Sequence, residues 1–306
     1  MSAAGVRPVA ATAFEPVAKP FLKWVGGKGG MLARLGPLLP PGVEHMRYVE
    51  PFVGGGAMFF ALAPQRAVLS DVNPRLINAY RQVRDNLPEL CQQLELRERE
   101  HLAMMAQGQG EACFLRWRRK FNETPGLFGD AGLFGAAEAA ALIYLTSVCF
   151  NGLYRENAQG HFSPGYCHPV RHGTQLAIYR PDRLRAAHRF LQGAGISAAS
   201  FEDVVAECGP GDFIFADPPY LPVSNTADFA GYHRGGFGVQ MHRRLAAALS
   251  AAGKRGAHVL TCNSHAPFTV ELYAGWDVRV AMRRGNVSRK GSGRQAVREY
   301  VFRNYA

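Results

Sequence analysis

The run Asp217-Pro218-Pro219-Tyr220, directly after the apolar stretch Phe213–Ala216, has the composition of a hydrogen-bond acceptor site. Two successive prolines hold the backbone extended and remove two N–H donors, so carbonyl oxygens can face a pocket together with the Asp217 carboxylate. Such a surface matches a planar NH₂ group, whose two hydrogens need two acceptors, and the Tyr220 ring can stack on the heterocycle that bears it. An aromatic amine is a poor nucleophile because its lone pair is delocalised. Fixing both of its protons favours a tetrahedral nitrogen and turns the lone pair toward an electrophile such as a sulfonium methyl. The alternative, a proline turn that merely ends a buried strand, is weakened by position, because the carboxyl edge of strands is where open α/β sheets bind ligands.

A second constellation is Glu50-Pro51-Phe52-Val53-Gly54-Gly55-Gly56. Glycines between a strand and a helix allow a sharp turn and the close approach of a ligand, although tight turns use glycine for structural reasons as well. Asp71 stands seventeen positions after Gly54 at the tip of the next strand, placed to accept from two ribose hydroxyls. The triplet lacks the GxGxxG spacing suited to a pyrophosphate, so the pair points to a nucleoside cofactor with no phosphate at that turn.

The elements needed to position these residues are legible in outline. Residues 47–52 and 67–71 read as buried strands, followed by helical spacing over Ala57–Leu62 and 74–84. The alternation resumes after residue 200, with a strand at Phe213–Ala216, an Ala-rich helix over 241–252 and a strand over 256–262. The expected fold is α/β, a parallel sheet with covering helices. Near the end, 276–282 and 297–303 are strand-like and flank a glycine-rich basic loop, which predicts a closing hairpin. Between residue 85 and about 179 the pattern becomes helical and irregular, as an inserted module would. The domain reading is therefore a flexible lead-in over 1–18, a catalytic domain over 19–84 and 180–306, and an insertion over 85–179.

Composition sets the wider frame. The 306 residues, 47% of them hydrophobic, can fill a sizeable core, and the formal charge of +11 suits a polyanionic partner. Six cysteines without a CxxC pair argue for a reducing compartment rather than a disulfide scaffold, and the cytoplasm is the expected location. The most apolar stretch, residues 136–150, is too short to span a bilayer and contains Glu138, so no membrane segment is expected. His161, Cys167, His168 and His172 fit no common zinc spacing, and GGKGG near Lys28 lacks the GxxxxGK[ST] pattern, so neither a metal nor ATP is expected.

With these motifs in place, the chain resembles the Dam family of DNA adenine-N6 methyltransferases, the D12 class. Phe21-Leu22-Lys23-Trp24-Val25-Gly26-Gly27-Lys28 is similar to the family's N-terminal motif, EPFVGGG to its cofactor loop, SDVNPRLINAY to its ribose-binding turn and ADPPY to its catalytic motif. Residues 150–157 with 162–164 resemble its DNA-reading hairpin, which would occupy about 150–172, and 225–233 the loop after the catalytic motif. Six motifs in one order cover most of residues 20–305. The resemblance implies a Rossmann-like methyltransferase fold that uses S-adenosyl-L-methionine, a mainly helical target-recognition insertion, and a flipped-out adenine in double-stranded DNA. It implies cofactor contacts from Trp24, Lys28, Glu50, Pro51, Phe52, Gly54, Gly55, Gly56, Asp71, Val72 and Asp217. It places DNA contacts at Lys23, Asn151, Leu153, Arg155 and Asn157, with Arg289 and Lys290 from the basic loop, and Arg155 is of the type that reads a guanine edge. The family's most frequent target is GATC. In this chain Glu156 stands where tyrosine is common, and His168, Arg171 and His172 replace a basic loop, so the target need not be the same.

The expected molecule is a monomer acting on DNA, with or without a partner endonuclease. Cytosine N4 or an RNA base offers the same exocyclic amine, and a DNA-binding regulator without turnover is a reading of another class.

Overall fold

The computed structural model describes residues 7–11, 14–123, 134–167, 177–220, 237–284 and 296–306. Its strands are β1 (Arg7–Pro8), β2 (Arg47–Glu50), β3 (Ala67–Ser70), β4 (Ala194–Ser197), β5 (Asp212–Ala216), β6 (His258–Ser264), β7 (Asp277–Arg284) and β8 (Ala296–Arg303). Its helices are α1 (Leu32–Leu35), α2 (Ala57–Leu62), α3 (Pro74–Asp85), α4 (Leu87–Ala106), α5 (Gly110–Glu123), α6 (Ala136–Val148), α7 (Pro181–Leu191), α8 (Phe201–Ala206), α9 (Val239–Lys254) and α10 (Pro267–Leu272). No helix among these residues is long and apolar enough to cross a membrane.

The strands form one sheet in the order β1-β7-β8-β6-β5-β2-β3-β4. Every pairing is parallel except those of β8, which runs antiparallel to both β6 and β7. This is the α/β architecture that the sequence pattern implied, and the hairpin expected at the end of the chain is the β7–β8 pair. From β2 the chain moves outward through β3 to β4 and then returns to β5 on the other side of β2. The crevice at the carboxyl ends of β2 and β5 is therefore a topological switch point. Arg47 fixes the opposite end of this pair, with Nε 2.7 Å and NH2 2.8 Å from the two carboxylate oxygens of Asp212. A bidentate fork of this kind sets orientation as well as attraction.

Local chemistry explains the elements around the crevice. Asn73 caps α3 by accepting from the N–H groups of Arg75 and Leu76, and Pro74 occupies the first turn, where its missing N–H costs nothing. Helix α6 is apolar on all sides and is accordingly buried against α3, α4 and α5. Arg75 is 1% exposed, lies 3.9 Å over the Phe121 ring and donates to the Phe121 carbonyl, which joins α3 to α5. Arg97 does the same for α4, over Trp117 at 4.3 Å and donating to the Ala137 carbonyl.

Several features differ from the sequence reading. The segment read as a flexible lead-in is tied down at several described positions: β1 pairs with β7, Phe14 packs on Gly36, and the Val17 and Ala18 N–H groups donate to Ala61 and Phe60. The free edge of β7 supplies the partner that a composition rich in Ala, Val and Pro does not reveal. The strand expected from residue 256 begins at His258, because Gly256 has φ +104° and forms a turn. β4 is a four-residue strand interrupted by Gly195 that the sequence reading did not find.

Asn73→Ala removes the α3 cap beside the crevice. Urea unfolding is expected to show a loss of about 1 kcal/mol with an unchanged m-value; a loss below about 0.3 kcal/mol would remove the cap from the account.

Candidate functional site

The loops leaving β2 and β5 open into one cleft of about 1000 Å³. Trp24, Lys28, Glu50, Phe52, Gly54, Gly55, Gly56, Asp71, Val72 and all of Asp217–Tyr220 line it, so the structure brings together two constellations that are far apart in the chain. Pro51 is the exception. It is buried behind the turn and does not face the cleft.

The glycine turn is shaped by close approaches. Gly56 has φ +65°, and a methyl there would meet the Tyr80 hydroxyl at 2.6 Å. Gly54 and Gly55 lie against the Trp24 side chain, so side chains at either would displace the indole that walls the cleft. Tyr80 donates to the Gly54 carbonyl at 3.0 Å, and Trp24 stacks on Tyr154 at 5.1 Å with a 20° interplanar angle. Asp71 accepts from the N–H groups of Gly54 (3.3 Å) and Asn73 (3.0 Å), which fixes the carboxylate while leaving lone pairs for a ligand. Burial pushes its pKa up to about 6 against these donors.

At the β5 end, Lys28 Nζ lies 2.6 Å from Asp217 Oδ1 and 4.7 Å from the centroid of the Tyr220 ring. The lysine is 5% exposed, yet Asp217 keeps 17% of its side chain open to the cleft. Burial is the largest influence on Lys28 and opposes its charge, but Asp217, Cys262 and Glu299 together outweigh it and the pKa lies above the ordinary lysine value. Burial raises Asp217 above the ordinary aspartate value, and the Lys28 ammonium restrains the rise. Glu50 is raised well above the carboxylate range by burial, although the Tyr48 hydroxyl donates to it at 2.8 Å.

Glu299 of β8 was not identified from the sequence. It is 1% exposed, accepts from the Tyr220 hydroxyl at 2.9 Å and lies 3.8 Å from Lys28 Nζ. A lone acid in a basic, alternating strand was the only available signal. Phe201, Phe237 and Met241 also line the cleft unforeseen; Phe52 stacks on Phe201 and meets Phe237 edge-on, each at 5.5 Å. Lys28 is the only cationic side chain among the described residues of the lining, against the acids Glu50, Asp71, Glu202, Asp217 and Glu299. The cleft therefore suits a cation or a neutral heterocycle and repels a phosphate.

Lys23, Asn151, Leu153, Arg155 and Asn157 fall outside the cleft. Residues 155–163 fold back on themselves through the Glu156–Phe162 bridge, with Asn157, Gln159 and His161 forming the turn. Arg155, Asn151 and Asn157 are exposed, and the stem of Lys23 packs against Gly152 at the base of this hairpin. Glu156, where the motif departs from the family pattern, accepts from Tyr154 at 2.5 Å. Arg289, Lys290, the stretch 225–233, and His168 and His172 lie outside the described residues, among which no cluster suited to a metal occurs.

The chain is similar to known proteins along most of its length. The family model for D12 class N6 adenine-specific DNA methyltransferase matches residues 24–285. The chain is 33% identical over 290 residues to the type II methyltransferase M1.LlaDCHI of Lactococcus lactis subsp. cremoris, covering 94% of this chain and 95% of that one. It is 32% identical over 283 residues to a DNA adenine methylase of Vibrio cholerae, covering 92% and 94%. It is 36% identical over 283 residues to the DNA N-6-adenine-methyltransferase of Escherichia phage P1, covering 89% of this chain but 33% of that longer protein.

Carboxyl-selective ¹³C NMR is expected to find the Asp71 midpoint near 6 in the ligand-free protein, so that the group is largely ionised at pH 7 and loses its acceptor character as pH falls below 6. A midpoint below about 5 would contradict the burial described here.

Proposed function

The chain belongs to the D12 class of N6 adenine-specific DNA methyltransferases, and from that premise we propose that its cleft binds S-adenosyl-L-methionine and an adenine flipped out of double-stranded DNA, with Asp217 and the Pro218 carbonyl accepting the two amino protons. The observation that carries the reading is the placement of Asp217–Tyr220 and the Gly54–Gly56 turn on one cleft, with Asp217 open to it.

The residues fit the cofactor. Asp71 offers lone pairs to two ribose hydroxyls, Phe52 and Phe201 offer ring faces and edges to an adenine, and the acid-rich lining suits a molecule that carries a sulfonium and an ammonium. Burial disfavours the charge on Glu50, and a cation bound beside it would favour that charge again. S-adenosylmethionine supplies an electrophilic methyl group; everything else is done by the chain. Asp217 and the Pro218 carbonyl orient the amine, and the Tyr220 ring supports the base. The base must leave the helix, because a paired N6 cannot reach a methyl donor.

Residues 85–179, with the hairpin, are proposed as the target-recognition unit. Lys23, Asn151, Leu153, Arg155 and Asn157 would meet the duplex on the hairpin side, and Arg289 and Lys290 would add phosphate contacts from the basic loop. GATC is the proposed recognition sequence, carried by Arg155 and Leu153.

Two measurements test this reading. Asp217→Ala is expected to lower turnover by about 10³-fold or more while DNA and cofactor still bind, as judged by nucleoside mass spectrometry and calorimetry; near-normal turnover would reject the acceptor role. Arg155→Ala is expected to weaken cognate binding by about 1–3 kcal/mol and relax the sequence preference at one position, as read by methylome sequencing in a methylation-free host. A uniform loss on all sequences would make Arg155 a phosphate contact instead.

A further inference from the structure

A buried carboxylate, Glu299, and a half-buried one, Asp217, converge on one buried ammonium beside the acceptor motif. Lys28 Nζ is 2.6 Å from Asp217 Oδ1 and 3.8 Å from Glu299 Oε2, and Glu299 Oε2 also accepts from the Tyr220 hydroxyl at 2.9 Å. Glu299 comes from β8, held in register between Ser264 of β6 and Ala281 of β7, and is 1% exposed. A carboxylate so placed is strongly disfavoured unless its charge is needed and answered. Among the described residues, other titratable groups around it are Cys262 of β6, whose thiol burial raises well above its ordinary value and keeps neutral, and Tyr220 itself.

We propose that Glu299 is a positioning residue whose charge neutralises Lys28, so that Lys28 can anchor Asp217 without cancelling the negative charge that the methyl-transfer site presents to a cation. The inference rests on the proposed role of Asp217. The transfer would move a positive charge across the cleft: the N6 lone pair would form the N–C bond as the C–S bond breaks with its electrons kept by sulfur, and the N6 proton held by Asp217 would pass to that carboxylate and on to solvent. A cation is present at every stage, first on sulfur and then at the amine. With Lys28 and Asp217 alone the triad would be neutral and the lysine would repel that cation at close range. With Glu299 the group carries one net negative charge, while the lysine still fixes the Asp217 carboxylate and underlies the Tyr220 ring.

The test is Glu299→Gln, which keeps an acceptor for the Tyr220 hydroxyl and removes only the charge. Turnover is expected to fall by about 10- to 100-fold. By calorimetry, affinity for cationic S-adenosylmethionine should fall by about tenfold, while affinity for neutral S-adenosylhomocysteine stays within about twofold. The acid limb of the kcat profile should move to lower pH, because a negative neighbour that raises Asp217 is gone. In a Lys28→Met background the same substitution should cost less than about threefold, since the ammonium that Glu299 answers is gone. Equal weakening of both cofactor forms, a loss of turnover with an unmoved acid limb, an equal loss in both backgrounds, or turnover like that of the unaltered protein each overturns the proposal. Should E299Q not fold, K28M/E299Q, which removes both charges together, is compared with K28M: equal turnover supports the proposal and a further loss of about tenfold overturns it. If Asp217→Ala itself retains turnover, the acceptor reading fails, whatever E299Q shows.

Discussion

The reversal of strand order beside β2 is the constraint on which the site depends. Because the chain leaves β2 in one direction and returns to β5 from the other, the connections out of these two strands cannot cover their shared carboxyl edge. The glycine turn and Asp217–Tyr220 are thereby held across a gap by backbone hydrogen bonds rather than by contacts with each other. Arg47 and Asp212 lock the far end of the same pair, so displacement of one loop relative to the other would require breaking a bidentate ion pair. Lys28 closes the remaining side by bringing the N-terminal loop onto Asp217.

Charge is segregated around this gap. The chain carries +11 overall, yet the described lining of the cleft contains five acids and one lysine. Long-range attraction to a polyanion and local repulsion of phosphate from the cleft therefore coexist, and they select for a neutral base to enter where its own backbone cannot follow. The carboxylates raised by burial, Asp71 and Glu50, are the groups that a cationic, hydroxyl-bearing cofactor would return toward ionisation, so binding and protonation are linked in the empty cleft.

Much of this site was legible in the sequence because its parts are local. Phe213–Ala216 followed by Asp-Pro-Pro-Tyr, and 47–50 followed by a glycine turn, are strand-then-loop signals that need no tertiary knowledge, and Asp71 follows from its distance to Gly54. What the sequence hid depends on pairing between distant segments. Glu299 reaches the cleft only because β8 inserts between β6 and β7, a register that no local pattern specifies. Phe201 and Phe237 arrive from the start of α8 and the approach to α9, where their spacing reads as ordinary core. Pro51 was placed in the site by motif adjacency alone, and it is buried and does not line the cleft. β4 and β1 escaped notice because a short strand with an internal glycine and a two-residue edge strand carry almost no periodicity.

The central claim is that an acceptor pair grips both protons of one exocyclic amine. It is tested most directly by proton NMR of a duplex whose target adenine carries ¹⁵N at N6, bound to the protein with S-adenosylhomocysteine. The account predicts two amino protons that are both shifted downfield and slow to exchange, with one of them lost to solvent exchange when Asp217 is replaced by alanine. Amino protons that keep the shifts and exchange rates of a base still paired in the duplex would contradict it.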